Sequence, residues 1–416
     1  MNFAKKYLSK QDTDYLFYPK QLASNYALIV VIPCCNEPQL DQTLHSLFNC
    51  NTPQKPVLVI VVVNHSTNAS AAIVEQNQLT LSNTKQIRDK APNWIDIETI
   101  DATNMPLKHA GVGFARKIGM DSAVSIFNLT NNKNGIIASL DADTTVSVNY
   151  FEALIAHFIE HPKNIGATLC FEHPLSDKIT GTAITQYELY MRYYKNAVQH
   201  AHFTHSIYTI GSAFCVLAGA YVAQGGMNRR QAGEDFYFLH KLSQFGEIGL
   251  INETVVIPSA RLSDRVPFGT GPAINKLINQ ANDTFLTYAL KSILVLKDIF
   301  DKTNMIYSKN MEVDQLTKNN VLQDFLTITS FTKSIDELKS NCSNLQIFTK
   351  RFFHYFNAFM VLKWLNYAVE HGFEKKPLSL EALKLLKKMN PEKDYNTLNV
   401  QKMLKHYREF DKIRSK

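Results

Sequence analysis

The first third of the chain alternates short apolar runs with polar loops and helical periodicity. Ala27 to Ile32 reads as a strand ended by Pro33, and Glu37 to Leu47 as a helix with Leu40, Leu44 and Leu47 on one face. Val57 to Val63 is a second run, stopping on the polar loop Asn64-His65-Ser66-Thr67. The polar stretch 75–100 reads as connecting helix, loop and a short strand from Ile95 to Ile100. A helix then follows Gly111 and carries its apolar positions through Ala123, Val124 and Ile126. Behind it comes Ile136 to Leu140, another apolar run. Unbroken apolar strands of this kind belong to parallel sheets covered on both faces, and successive βα units place their polar loops at one sheet edge. Three such units before residue 145 predict an α/β nucleotide-binding domain whose ligands gather beyond the carboxyl ends of the strands. From about Phe285 the pattern turns helical. The expected organisation is an N-terminal extension over 1–24, an α/β domain over 25–284 and a helical region with a basic tail over 285–416.

At 416 residues, with 45% hydrophobic and 19% charged, the chain has the makings of a large buried core, and disorder is excluded. Met1 to Lys20 lacks the apolar centre of a secretory signal, so a cytoplasmic location is expected. The most membrane-like stretch, Phe352 to Trp364, is short and interrupted by His354, Asn357 and Lys363, which argues against a spanning helix. The six cysteines show no paired clusters of the structural-zinc kind and read as reduced packing residues. Of the formal charge of +7, the tail from His371 to Lys416 holds most, with twelve Lys/Arg against six Asp/Glu. There Leu380, Leu383, Leu386 and Met389 recur among lysines. That pattern suits a helix packed on the body, with peripheral contact to an anionic membrane as the alternative. No basic and aromatic groove points to nucleic acid.

The chemistry concentrates where the fourth apolar run stops, at Asp141-Ala142-Asp143. Along extended backbone residues i and i+2 point the same way, so both carboxylates can reach one hard divalent cation, Mn2+ or Mg2+, and through it a diphosphate. An isolated Asp-x-Asp equally ends a strand and starts a turn. A second acidic pair, Glu234-Asp235, opens an amphipathic segment running to Leu242, where acidic residues also suit a helix N-terminus. Gly111 and Gly113 do not make a dinucleotide fingerprint, because no strand runs into them and no third glycine follows at the required spacing.

Taken in order, Ile32-Pro33-Cys34-Cys35-Asn36-Glu37, Ala115-Arg116-Lys117-Ile118-Gly119, Leu140-Asp141-Ala142-Asp143 and Gly233-Glu234-Asp235 resemble the family 2 glycosyltransferases of the GT-A fold, over roughly residues 25–270. The resemblance implies an inverting enzyme that moves a sugar from a nucleoside-diphosphate-sugar to an acceptor hydroxyl, as in cell-surface glycan synthesis. It carries the metal and nucleotide onto Asp141 and Asp143, and the general base onto Asp235 with Glu234 beside it. It gives Pro33, Asn36 and Glu37 to the first nucleotide-contacting loop, and puts Arg116 near the diphosphate or donor sugar. Asn64 would contact the base, but Asn64-His65-Ser66 departs from the paired aspartates usual in that loop, so the nucleotide stays open. The histidine that many members use as a further metal ligand has no counterpart between Lys241 and Gln280. Arg261 and Arg265 are instead expected to neutralise the diphosphate, with the Gly269-Thr270-Gly271 backbone closing over the donor. The tyrosines and histidines between Phe171 and Gly226 are read as shaping the acceptor side, where a glycan, a lipid carrier or a protein is each open. Two other readings stand beside this one. Asp141 to Thr145 also fits the Asp-x-Asp-x-Thr signature of haloacid-dehalogenase-like phosphatases, and a non-catalytic nucleotide-sugar or glycan binder would keep the fold without turnover.

Overall fold

The computed structural model describes residues 2–11, 14–17, 25–176, 180–231, 233–261, 275, 277, 285–395 and 398–413. These form two compact units: one from residues 1–181, 209–275 and 411–416, the other from 182–208 and 276–410.

In the first unit the strands are β1 (Leu28–Cys34), β2 (Val57–Ser66), β3 (Ile95–Met105), β4 (Ile136–Ser139), β5 (Thr145–Val146), β6 (Asn164–Phe171), β7 (Phe214–Leu217) and β8 (Glu247–Ile257). The helices, in chain order, are α1 (Lys5–Leu8), α2 (Leu40–Phe48), α3 (Ala71–Arg88), α4 (Val112–Leu129), α5 (Tyr150–Glu160), α6 (Gly181–His200), α7 (Ala218–Ala223) and α8 (Glu234–Ser243). All of α6 beyond Gly181 belongs to the second unit. The strands make one mixed sheet in the order β3-β2-β1-β4-β7-β6-β8-β5. β3, β2, β1 and β4 are mutually parallel, whereas β7 runs antiparallel to both β4 and β6. This is the expected mixed α/β sheet flanked by helices, followed by a helical C-terminal region.

Every residue of β1 is buried, as is β2 from Val57 to His65, which is why their sequences run apolar without alternation. Helix α4 lies directly on them: a Cβ on Gly119 would come within 2.3 Å of Val31 Cγ1 and 3.1 Å of Val62 Cγ2. Only a glycine lets the helix sit that close. From β1 the chain moves outward through β2 and β3, then returns to place β4 on the other side of β1. Such a reversal opens a crevice at the carboxyl ends of the two flanking strands. The loops after β1 and β4 therefore meet there.

Several boundaries differ from the sequence reading. Pro33 does not end the first strand: it is buried within it and pairs in register with Val62. A proline can sit there because β1 continues only to Cys34, where the ladder is about to stop. The second strand runs through Asn64 and His65 to Ser66, and the third extends to Met105. Helix α2 starts at Leu40 rather than Glu37. The N-terminal segment contributes α1, whose Tyr7 hydroxyl donates to Asp121 of α4 at 2.7 Å; Lys117 pairs with the same carboxyl group, also at 2.7 Å.

Among its described residues the second unit is helical apart from a two-residue antiparallel pairing of Leu286–Thr287 with Lys376–Pro377. Its core is built on aromatic residues, including Phe300, Phe325, Phe331, Phe352, Phe356 and Trp364; the Trp364 indole donates to the Ser292 carbonyl at 2.7 Å. Residues 182–208 join it because Tyr193 donates to the Tyr288 carbonyl at 2.8 Å, and fully buried Glu188 takes Arg192 at 2.9 Å and Arg408 at 2.8 Å. Tyr193 and Arg192 are thus core residues. The stretch Phe352 to Trp364 is two helices, Leu345–Tyr355 and Ala358–Glu370, broken where Asn357 caps the backbone amides of Phe359 and Met360. Among the described residues no helix is long and apolar enough to cross a membrane. In helix Leu378–Met389 the covered stripe is Leu378, Ala382, Leu385 and Leu386, while Leu380 is exposed. A three-residue repeat drifts around a helix of 3.6 residues per turn, so Leu380, Leu383, Leu386 and Met389 do not share one buried face.

Candidate active site

The crevice edge is organised by one fully buried side chain. Arg116, on α4, donates through Nε to Ser139 Oγ at 2.8 Å and through Nη2 to Asp141 Oδ1 at 2.6 Å, and its Nη1 is bonded to Glu234. Ser139 is the last residue of β4, Asp141 opens the loop behind it, and Glu234 is the first residue of α8. A single guanidinium therefore joins the Asp-x-Asp loop to the second acidic pair, nearly a hundred residues later. Its planar fork of donors suits this three-way role, which a lysine ammonium cannot reproduce.

Close backbone approach makes room for the arrangement. A Cβ on Gly211 would fall 2.7 Å from Arg116 Nη2, and the Gly211 carbonyl accepts from Ser139 Oγ at 2.7 Å. A Cβ on Gly113 would fall 2.2 Å from the Arg230 carbonyl and 3.0 Å from Glu234 Cβ. Gly113 thus serves the packing of α4 against the segment leading into α8. Gly233, with φ 69°, supplies the left-handed turn from which α8 starts.

Asp235 is half-buried, and its carboxyl accepts from the Phe236 amide at 2.7 Å. Burial raises its pKa above the ordinary aspartate range; Arg116 and the Phe236 and Gly211 amides pull it back, while the Asp141 charge adds to the rise. The two acidic clusters feel one another.

On the other side of the Asp-x-Asp loop stands Arg261. It grips buried Glu37, donating to Oε1 at 2.9 Å and bonding Oε2 as well, and its Nη2 lies 3.0 Å from Asp143. Glu37 also accepts from the Gln39 amide at 2.9 Å. Thr43 of α2 donates to the Ala142 carbonyl at 2.9 Å, fixing the backbone between the two aspartates. Arg116 thus joins Asp141 to Glu234, and Arg261 joins Glu37 to Asp143. Asp141 and Asp143 offer hard oxygen ligands, and magnesium-like ions are typically held by one or two carboxylates plus substrate phosphates. Among the described residues no group of three or more His, Cys, Asp or Glu forms a protein-only metal cage.

The loop after β1 is tied to the end of β2. Asn36, with φ 51°, donates its amide to Asn77 Oδ1 at 2.8 Å, and Asn77 Nδ2 reaches the Asn64 carbonyl at 3.0 Å. Of the residues expected at the site, Asn36 and Asn64 meet through Asn77, while Asp141, Glu234 and Asp235 meet around Arg116, and Glu37 and Asp143 around Arg261. Pro33 is enclosed in β1. Arg265 and Gly269 to Gly271 lie outside the described residues. Ser139, Gly211, Thr43 and Asn77 were missed, since each acts through a tertiary contact that no local motif announces.

No protein-family model matches the chain, and no curated protein matches it in sequence. Among solved structures, it is similar to S. aureus TarS 1-349 in complex with UDP-GlcNAc, with 12% identity, a TM-score of 0.41, and coverage of 79% of this chain and 91% of that one. It is also similar to the mannosyltransferase PcManGT from Pyrobaculum calidifontis in complex with GDP-Man and Mn2+, with 11% identity, a TM-score of 0.38, and coverage of 99% and 93%.

Proposed function

We propose that the chain is a GT-A-type inverting glycosyltransferase that moves a sugar from a nucleoside-diphosphate-sugar to an acceptor hydroxyl. The observation that carries this reading is the Arg116 guanidinium bridging Asp141 and Glu234 beside Asp235. It joins a cation- and phosphate-binding edge to a candidate base. The order of motifs along the chain supports the family 2 assignment.

In this reading Asp141 and Asp143 would hold Mn2+ or Mg2+, which when bound would supply positive charge against the nucleoside diphosphate leaving group. Arg261, anchored by Glu37, adds a second positive charge at that edge and turns toward the phosphates when the donor enters. Glu37 thereby serves as the anchor of a phosphate-binding arginine. Asp235 accepts the proton of the acceptor hydroxyl as its oxygen attacks the anomeric carbon. A base raised toward neutral pH is better matched to that transfer than an ordinary aspartate. Glu234 stays paired to Arg116 and holds α8 in place. One in-line displacement inverts the anomeric centre.

The test is release of nucleoside diphosphate from a panel of UDP-, GDP- and TDP-sugars, in the presence of Mn2+ and simple glycoside acceptors. One nucleotide class is expected to be turned over above the others. No release from any donor, by protein that binds neither Mn2+ nor a nucleoside diphosphate, overturns the proposal.

A further inference from the structure

Asn77, on α3, is completely buried, and both ends of its side-chain amide are bonded, one to the chain just after β1 and the other to the end of β2. Its Oδ1 accepts from the Asn36 amide at 2.8 Å, downstream of β1. Its Nδ2 lies 3.0 Å from the Asn64 carbonyl and 2.8 Å from His65 Nδ1, both at the end of β2. The partners fix the amide's orientation: a backbone N–H must meet the oxygen, and a backbone carbonyl must meet the nitrogen. The contact to His65 is then necessarily N–H to a bare Nδ1, which leaves the ring neutral with its hydrogen on Nε2. Burial also holds His65 below the ordinary histidine value, against an upward pull from Asp101.

Asn36 needs this support, because a non-glycine residue at φ 51° is held in a sparsely populated backbone region. Asp141 and Asp143 stand beyond the end of β4, and the next parallel strand ends along the sheet are those of β1 and β2, toward which the nucleoside half of a donor would extend. We infer that Asn77 is a positioning residue for nucleoside recognition: it latches the loop after β1 to the end of β2 as one surface and sets His65 as a neutral Nε2–H group within it. This rests on the nucleotide-sugar reading above and adds a residue outside its motifs.

The test compares wild type with Asn77→Asp, which keeps the shape and the acceptor for Asn36 but turns the donor to Asn64 and His65 into an acceptor. Calorimetry with Mn2+ reads UDP, GDP and TDP against inorganic pyrophosphate, which probes the diphosphate half alone. Loss of hydrogen bonds of this kind predicts weakening of the preferred nucleoside diphosphate by about tenfold or more, with pyrophosphate within about twofold. Equal weakening of both ligands, or of neither, overturns the inference. If wild type binds no nucleoside diphosphate, the donor reading itself falls. A second measurement needs no variant: nitrogen-15 NMR of the wild-type His65 ring must show unprotonated Nδ1 and protonated Nε2, and a hydrogen on Nδ1 contradicts the latch.

Discussion

Asp235→Asn is expected to lower sugar transfer by about 10²- to 10⁴-fold, the range for removing a positioned general base, while leaving nucleoside-diphosphate affinity close to wild type. The substitution keeps an acceptor for the Phe236 amide and removes only the ability to take a proton. Steady-state kinetics beside donor binding separate the two effects. Because burial raises the Asp235 pKa, wild-type turnover is expected to fall on acidification already above the ordinary aspartate value. Stability follows the same group. A carboxyl whose pKa rises on folding binds its proton more tightly in the native state, so its favourable contribution is complete below the unfolded value and is lost as pH rises through the folded one. Asp235→Asn is therefore expected to be more stable than wild type near neutral pH and to lose that advantage in acid. An inactive variant that is also less stable at pH 7 would count against the assignment.

Arg116→Met carries the largest expected cost in stability. It removes the partner of fully buried Glu234 and of partly exposed Asp141, and takes one of the two hydrogen bonds of the Ser139 hydroxyl. Breaking a buried pair by deleting one member costs on the order of 3–5 kcal/mol, because the remaining charge stays unanswered. Most of this comes from Glu234, since solvent screens part of the Asp141 charge. Urea unfolding measures the loss. In a double-mutant cycle, Glu234→Gln on the Arg116→Met background is expected to recover part of it. Additive effects of the two substitutions would show that the pair is not coupled.

How much of this was legible in the sequence depends on the range of the interaction. β1, β2 and β4 could be read because strands buried on both faces are apolar throughout, and the loops that follow them break the run abruptly. Asp141, Asp143, Glu234 and Asp235 stood out because paired carboxylates sit where such runs stop or a helix starts. Arg116 was visible as a motif residue, but its role as the bridge between the acidic pairs was not, since Ser139, Asp141 and Glu234 converge only after the sheet has formed. Asn77 lies in a polar stretch with no periodic signal, and its importance comes from partners 41 and 13 residues away. Residues 182–208 read locally as part of the α/β region, whereas buried charge and tyrosine contacts place them with the helical unit. Pro33 shows the opposite error: a local breaker was given more weight than the ladder it sits in.

The most direct measurement is electron paramagnetic resonance of Mn2+ titrated into the protein with a saturating nucleoside diphosphate. Wild type and Asp235→Asn are expected to immobilise the ion only when the nucleotide is present, and Asp141→Asn and Asp143→Asn to leave it free. Mn2+ bound equally well by the Asp141 and Asp143 variants, or held independently of any nucleoside diphosphate, would contradict a donor site built on that loop.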